Sequence, residues 1–253
     1  MQIDINSDMG ESFGHYKLGN DSALLDYVTS ANIACGFHAG DPLVMTQTVK
    51  LAAQKGVAIG AHPSYPDLQG FGRRKMDMTL DEIEATVLYQ IGALAAFTKA
   101  NGAELTHVKG HGMLYNVAAV EAPVAEAIAK AIYRFDPNLI MVCLATSPLM
   151  IEVGLKAGLK VAREAFADRA YNPDGTLVNR RQAGSMISDP AGAVAQTLRL
   201  VKKGEIVAID GTVLKLQADT VCVHGDGPTA LEIVRALREE LTNEGVRLCP
   251  PNQ

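Results

Sequence analysis

The sequence lacks several features that would assign it to a common protein class. Its four cysteines, at positions 35, 143, 222 and 249, form no Cys-x-x-Cys pair, and three of them lie in apolar, strand-like stretches. Because a free cysteine packs as a small hydrophobic residue, we predict that all four are reduced and structural. No apolar stretch approaches the ~20 residues that cross a bilayer, and no signal peptide opens the chain, so we expect a cytoplasmic protein.

The charge pattern of a nucleic-acid-binding or membrane-surface protein is also missing. The formal net charge is −5, and the 23 lysine and arginine residues are scattered along the chain. Polyanionic partners require a concentrated basic surface, so we expect neither nucleic acid nor a membrane as a partner.

Three glycine-rich loops that mark common enzyme classes do not occur. The sequence contains no Gly-x-x-x-x-Gly-Lys-Ser/Thr loop, no Gly-x-Gly-x-x-Gly after a strand and no Gly-x-Ser-x-Gly. Their absence disfavours a Walker ATP site, a Rossmann dinucleotide site and the nucleophile elbow of serine hydrolases.

What the sequence does contain is a regular alternation of apolar, β-branched segments with amphipathic helical segments. Several helix starts carry a capping residue, which usually precedes a proline at the first helical position. These starts are Asp41-Pro42, Ser147-Pro148, Asp189-Pro190 and the capping-box pair Thr79 and Glu82. The alternation is typical of strands joined by helical crossovers, which places the chain in the α/β class.

Most of the candidate strands are too uniformly apolar for an antiparallel sheet with one solvated face. They cover residues 3–6, 32–35, 57–61, 105–109, 139–144, 159–165 and 221–224. Strands buried on both faces indicate a parallel sheet, and seven or more repeats favour a closed β/α barrel. An open doubly wound sheet is the alternative.

One segment departs from the alternation. In residues 207–214 the dipeptide Asp210-Gly211 lies between β-branched residues, which predicts a hairpin with a two-residue loop. No linker or low-complexity tract interrupts the chain, and its 253 residues with 48% hydrophobic content can supply one core. We therefore expect residues 1–253 to form one barrel domain.

Ionisable residues gather where the predicted strands end. In strand order they are Asp8 and Glu11; His38 and Asp41; His62; Lys109 and His111; Glu164, Asp168 and Arg169; and His224 and Asp226. In a parallel barrel these positions share one rim, which is where barrel enzymes have their active sites. Carboxylates and imidazoles there suit general acid/base catalysis or a divalent metal, for which Asp8, His38 and His62 are the candidate ligands.

Structural roles compete with functional ones at several of these positions. Asp41 is also the natural N-cap before Pro42, and Asp226 fits a turn before the last helix. His107 alternates away from Lys109 within an apolar stretch and is interpreted as a structural histidine. Lys109 is harder to explain structurally, because a lysine that ends a buried strand is costly unless a carboxylate or a ligand pairs with it.

Two arginine-containing segments, residues 70–74 and 179–182, are suited to holding an anion. Both combine guanidinium groups with exposed or flexible backbone, and a guanidinium matches carboxylate or phosphate oxygens in pairs. A pair of solvated surface arginines is the competing interpretation for each segment.

Six blocks of the sequence together resemble the LamB/YcsF family. They are NSDMGESFG (6–14), NIACGFHAGDP (32–42), GAHPSYPD (60–67) with GFGRR (70–74), VKGHGMLYN (108–116), EAFADRAY (164–171) and VHGD (223–226). The resemblance implies a seven-stranded β/α barrel of the kind shared with glycoside hydrolases and polysaccharide deacetylases. It also implies one subunit of an ATP-dependent 5-oxoprolinase, which with partner subunits B and C opens 5-oxo-L-proline to L-glutamate.

The resemblance and the rim positions together give the candidate site residues. Catalytic roles are expected for Asp8, Glu11, His38, His62, Lys109, His111, Glu164 and Asp168. Substrate binding is expected from Asn6, Asp41, Arg73, Arg74, Arg169 and His224. In the hypothesis, ATP phosphorylates the lactam carbonyl oxygen, Arg73 or Arg74 holds the substrate carboxylate and Lys109 stabilises negative charge while water attacks.

Two other functions compete with this hypothesis. A metal-dependent deacetylase or amidohydrolase that uses no ATP would need the same barrel and a similar Asp/His site. A non-catalytic subunit would only bind a small ligand, with the chemistry on a partner. Formation of a homo-oligomer is left open by the sequence.

Overall fold

The computed structural model describes residues 1–225 and 227–251. Its strands are β1 Gln2–Met9, β2 Ser30–Ala34, β3 Ala58–His62, β4 Leu105–Val108, β5 Ile140–Leu144, β6 Lys160–Phe166, β7 Glu205–Val207, β8 Val213–Lys215, β9 Thr220–Cys222 and β10 Arg247–Leu248. Asp226, the predicted turn residue after the last barrel strand, lies outside the described residues.

Seven parallel strands close into a barrel in the order β1-β2-β3-β4-β5-β6-β9. β1 closes it, because Asn6 lies opposite Ser30 of β2 on one side and Cys222 of β9 on the other. The short strand β10 pairs with the start of β1. The prediction of a seven-stranded parallel β/α barrel is confirmed, and each predicted strand overlaps one barrel strand.

Helices surround the barrel. They are α1 Asp21–Leu24, α2 Pro42–Lys55, α3 Leu80–Ala100, α4 Gly112–Ala118, α5 Ala122–Phe135, α6 Pro148–Lys156, α7 Pro190–Lys203 and α8 Ala230–Asn243. The predicted caps are present: Asp41 accepts hydrogen bonds from the first turn of α2, and Thr79 and Glu82 form a capping box. None of the helices in the described ranges is long and apolar enough to span a bilayer.

The two faces of β1 have different surroundings. Ile3, Ile5 and Met9 belong to the hydrophobic core, whereas the alternate residues Asn6 and Asp8 reach other strands with their polar groups. The interior of the barrel is therefore polar near the carboxyl ends of the strands, and the apolar core lies around it. The four cysteines are buried, as expected for a structural role.

The predicted hairpin forms, but its loop is longer than expected. β7 and β8 are antiparallel, with Val207 opposite Val213, so residues 208–212 make a five-residue loop. Asp210 accepts a hydrogen bond from the Thr212 amide at 3.0 Å, while the Ile209 amide donates to the Tyr171 carbonyl at 2.9 Å. The prediction of a two-residue loop was wrong, because the pairing of β7 with β8 already ends at Val207 and Val213.

Candidate active site

A cavity of about 670 Å³ opens at the carboxyl ends of the barrel strands. Its lining includes residues at or just after the ends of four strands. Asp8 lies near the end of β1 and His62 at the end of β3, whereas Glu11, Lys109 and His224 follow β1, β4 and β9. The rim that the sequence analysis selected therefore surrounds a space large enough for a small molecule.

Lys109 is the centre of a buried ionic network beneath this cavity. Its ammonium lies 2.8 Å from Asp8 Oδ1 and 2.8 Å from Glu164 Oε1, and only 2% of the side chain is exposed. Cys222 Sγ is 3.2 Å away. Burial alone would lower the pKa of Lys109, but the two carboxylates and the thiol hold this pKa well above its usual range. A buried lysine paired in this way stays protonated.

A layer of amides fixes the orientation of Asp8 from below. The Asn32 amide donates to Asp8 Oδ1 at 2.9 Å and to Asn6 Oδ1 at 2.8 Å, and Asn6 in turn donates to Glu164 at 3.1 Å. His107 contacts Asn32 Oδ1 through Nε2 at 2.9 Å. Burial lowers the pKa of His107 to about 3, so it is a neutral structural histidine, in agreement with the interpretation of the sequence.

Three imidazoles and one carboxylate form a second buried cluster beside the lysine. The four side chains, Glu11, His38, His62 and His111, each place one possible ligand atom within 4.8 Å of the others. Burial lowers the pKa of both His38 and His111 well below the usual value. Neutral imidazoles and a carboxylate are suitable ligands for a divalent ion, so this cluster could hold a metal.

The composition of this cluster differs from the triad expected from the sequence. His38 and His62 belong to it, but the clustered carboxylate is Glu11, and His111 is added. Asp8 remains next to the cluster, with Oδ2 3.3 Å from His62 Nε2, while its Oδ1 pairs with Lys109. The longer side chain of Glu11 reaches the imidazoles from the loop after β1, which strand order alone did not indicate.

A strained loop holds His111 in place. Phe71 has a positive φ of 54°, which is uncommon for a residue other than glycine, and Gly72 follows with a φ of 64°. The Phe71 carbonyl accepts a hydrogen bond from His111 Nε2 at 2.9 Å. A Cβ atom on Gly72 would lie 2.2 Å from Ser64 Oγ, so glycine is required at this position.

Asp168 and His224 form a dyad on another side of the cavity. Asp168 is 4% exposed, and both of its oxygens lie 2.9 Å from His224 Nδ1. Burial opposes ionisation of Asp168, but His224 outweighs it and keeps the pKa of Asp168 below its usual value. Because Nδ1 contacts the carboxylate, Nε2 is the nitrogen that His224 can offer to the cavity. The ring also stacks on Phe166, with centroids 5.2 Å apart.

Arginines from several segments give the cavity a positive lining. They are Arg73, Arg169, Arg180 and Arg181. Arg169 is buried and donates to the Val178 carbonyl at 2.7 Å, and burial together with the charge of Arg180 lowers its pKa to about 10. Cations that repel one another in a partly buried space favour an anionic ligand between them.

Three predicted substrate-binding residues, all in the described part of the chain, do not line the cavity. Arg74 forms a salt bridge with Asp67 and leaves 64% of its side chain exposed. Asp41 caps α2 and also accepts a hydrogen bond from the Gly14 amide at 2.7 Å. Asn6 is buried in the amide layer below the cavity. Each of the three has at least one polar atom that contacts another group of the protein, which gives it a local structural role.

Some residues of the site were not selected from the sequence. Tyr115 and Asn116 line the cavity from α4, the helix that begins directly after His111. Tyr115 is 3% exposed, and burial, with the charge of Glu164 as the second cause, raises the pKa of its hydroxyl well above the usual range. Both residues belong to the block 108–116 that contains Lys109, and this could have indicated a position in the site. An aromatic residue in a helix is, however, usually part of the core.

The fold and the cavity define a parallel β/α barrel with a polar, partly buried site at its carboxyl-terminal rim. The sequence model of the LamB/YcsF family matches residues 3–253. The chain belongs to the LamB/YcsF family.

Relatives and one solved structure match nearly the whole chain. The A subunit of 5-oxoprolinase from Alkaliphilus metalliredigens is 57% identical over 247 residues, which cover 98% of this chain and 96% of the relative. The corresponding 5-oxoprolinase protein from Methylococcus capsulatus is 58% identical over 244 residues, covering 96% and 94%. The crystal structure of a lactam utilization protein from Thermus thermophilus has a TM-score of 0.93 and 47% identity, covering 98% of this chain and 99% of that one.

Proposed function

We propose that this chain is the A subunit of a cytoplasmic, ATP-dependent 5-oxoprolinase and that residues 1–253 form its single catalytic barrel domain. The observation that carries the proposal is the combination of 5-oxoprolinase relatives above 50% identity with a cavity lined by Lys109 and four arginines. The substrate 5-oxo-L-proline is a small anion, which suits this positive lining.

The chemistry can be written so that atoms balance. The lactam carbonyl oxygen attacks the γ-phosphorus of ATP, and ADP leaves. Water then adds to the activated carbon, the ring nitrogen takes a proton, and the carbon–nitrogen bond breaks to give an acyl phosphate. A second water hydrolyses this acyl phosphate to L-glutamate and phosphate. ATP supplies the driving force, because an unstrained five-membered lactam recloses readily.

Residues around the cavity have suitable positions for these steps. Lys109 would stabilise negative charge on oxygen from its fixed position between two carboxylates. The dyad of Asp168 and His224 would donate the proton that the ring nitrogen needs as it leaves, since Nε2 is directed away from the carboxylate. Arg73 would hold the substrate carboxylate.

The ATP site of this enzyme would have to be formed without a Walker loop in this chain. The sequence contains no such loop, and the relatives are described as one subunit of an enzyme. We therefore propose that the ATP site is shared with, or supplied by, partner subunits B and C, and that this chain contributes the cavity in which the ring opens.

The test is reconstitution with purified components. Release of glutamate and ADP from 5-oxo-L-proline and ATP would be followed for this chain alone and with subunits B and C. Turnover that needs all three proteins and ATP is the expected result. Glutamate release by this chain without ATP would instead support an ATP-independent hydrolase, and turnover by the partners alone would support a binding role for this chain.

Replacing Arg73 by alanine is expected to raise KM for 5-oxo-L-proline by about 10- to 100-fold, because one charge-assisted hydrogen bond to the substrate is lost. Arg74 is the matched control, since it is adjacent in sequence but pairs with Asp67. Steady-state kinetics of Arg73→Ala and Arg74→Ala check this difference. Equal effects of the two substitutions would contradict the assignment of Arg73.

A further inference from the structure

We propose that Glu11, His62 and His111 bind one divalent transition-metal ion beside the cavity and that His38 positions Glu11 for this ion. The proposal concerns the same cavity as the lactam reaction, but it is tested as metal binding. The metal site can therefore be disproved while the proposed function stands, and the proposed function can be disproved while the metal site stands.

The hydrogen bonds of two histidines lead to this inference. His62 Nδ1 lies 2.8 Å from the carbonyl oxygen of Lys109, and His111 Nε2 lies 2.9 Å from that of Phe71. A carbonyl only accepts, so each of these nitrogens must carry hydrogen. In the neutral rings, the other two nitrogens are then bare lone pairs, and these two atoms, His62 Nε2 and His111 Nδ1, lie 3.0 Å apart.

A carboxylate oxygen lies next to each of these two nitrogens. Glu11 Oε1 is 3.4 Å from His111 Nδ1, and Asp8 Oδ2 is 3.3 Å from His62 Nε2. All four side chains are buried. Lone pairs of neighbouring imidazole nitrogens and carboxylate oxygens in a buried space repel one another unless a positive charge lies among them. Either a shared proton or a cation satisfies this requirement.

His38 is a positioning residue in this arrangement. Its Nε2 lies 3.1 Å from Glu11 Oε1, and its Nδ1 is buried without a hydrogen-bond partner among the described residues. If Nε2 carries the hydrogen, it donates to Glu11 Oε1 and only the Nδ1 lone pair is left without a partner. If Nδ1 carried the hydrogen, a buried N–H would be unpaired and the Nε2 lone pair would face the Glu11 oxygen, which costs more. His38 does not line the cavity, whereas Glu11, His62 and His111 do.

The donor atoms indicate the class of metal. Two imidazole nitrogens and one carboxylate oxygen are typical of zinc and related transition metals, whereas calcium and magnesium prefer oxygen ligands alone. Three protein ligands on the cavity side leave a position open to solvent or substrate, as in catalytic zinc sites. An ion held there would supply a Lewis acid and lower the pKa of water.

Metal binding by the wild-type chain gives the first measurement. The protein would be stripped with a chelator and titrated with Zn²⁺ by calorimetry, and Co²⁺ would be added to a second sample to record its visible absorption. One Zn²⁺ per chain, a higher thermal midpoint with Zn²⁺ and a Co²⁺ spectrum of mixed nitrogen and oxygen ligation are expected. Absence of all three would overturn the proposal and leave the shared proton as the explanation.

Variants then test the ligand set. His62→Ala and His111→Ala are expected to abolish stoichiometric Zn²⁺ binding, and His38→Ala to weaken it by about 10- to 100-fold. His15→Ala is the matched control, because His15 is exposed and outside the cluster. Unchanged Zn²⁺ affinity in His62→Ala would contradict the assignment. If a variant does not fold, the wild-type titration and the Co²⁺ spectrum still decide whether the site exists.

Discussion

Replacing Lys109 by methionine is expected to lower the free energy of unfolding by about 3–5 kcal/mol, because the substitution leaves two buried carboxylates without their cation. Asp8 and Glu164 each lie 2.8 Å from the ammonium, which is 2% exposed. The same change is expected to lower kcat of the reconstituted enzyme by about 10²–10³-fold, since a charge that stabilises the reacting oxygen is removed. Urea unfolding and steady-state kinetics measure the two effects.

The pH dependence separates this explanation from a simple packing defect. Burial raises the pKa of Asp8, but in the folded wild type the charges of His62 and Lys109 outweigh burial and hold this pKa well below its usual value. Without Lys109, burial should raise the pKa of Asp8 above its unfolded value, so the variant should lose stability as pH rises through that value. The difference in stability between wild type and Lys109→Met should therefore be larger at about pH 7 than at about pH 4. Lys55→Met is the control, because Lys55 pairs with Asp26 at the surface and should cost at most about 1 kcal/mol. A pH-independent difference would indicate lost packing instead.

Replacing His224 by glutamine is expected to uncouple ATP hydrolysis from glutamate formation. Once water has added to the phosphorylated lactam, two groups can leave the same carbon. Phosphate leaves without help and regenerates the lactam, whereas the ring nitrogen leaves only after it has taken a proton. Without a proton donor, glutamate formation should fall by about 10²–10⁴-fold, while ADP release continues. Parallel assays of ADP and glutamate would therefore give a ratio well above one.

Asp168→Asn provides the second arm of this experiment. Both carboxylate oxygens of Asp168 contact His224 Nδ1, and one of them accepts a hydrogen bond from the His224 backbone amide at 3.0 Å. The asparagine variant should therefore retain His224 in the site but disturb the orientation of its ring. We expect the ratio of ADP to glutamate to rise in Asp168→Asn as well, but by less than in His224→Gln. The control variant His15→Gln should leave this ratio unchanged. A constant ratio of ADP to glutamate in both dyad variants would place His224 in substrate binding rather than in proton transfer.

Much of the fold followed from local patterns in the sequence. The strands around Ile59 and Val142 were recognisable because parallel strands buried on both faces are mostly apolar. The helix starts at Asp41 and Thr79 were recognisable because their side chains satisfy amides only a few residues away. Both kinds of signal depend on neighbours in the chain, so a sequence contains them directly.

The details of the site depend on contacts between distant segments. His111 is held by Phe71, which is 40 residues away in sequence, and His62 is held by Lys109, 47 residues away. Strand order placed these residues on one rim but could not determine which carboxylate reaches the imidazoles. The choice between Arg73 and Arg74 likewise depends on the turn at Phe71 and on the position of Asp67.

The alternation along β1 makes this strand intolerant of shifts. Asp4, Asn6 and Asp8 occupy every second position and bond to groups on other strands, while Ile3 and Ile5 pack into the surrounding core. A slip of one residue would exchange the two sets, so that carboxylates would enter the apolar layer and isoleucines would face Lys109. Insertions and deletions within residues 2–9 should therefore be far less tolerated than single substitutions at exposed positions elsewhere in the chain. The polar residues of β1 thus specify the alignment of the barrel strands as well as the chemistry of the site.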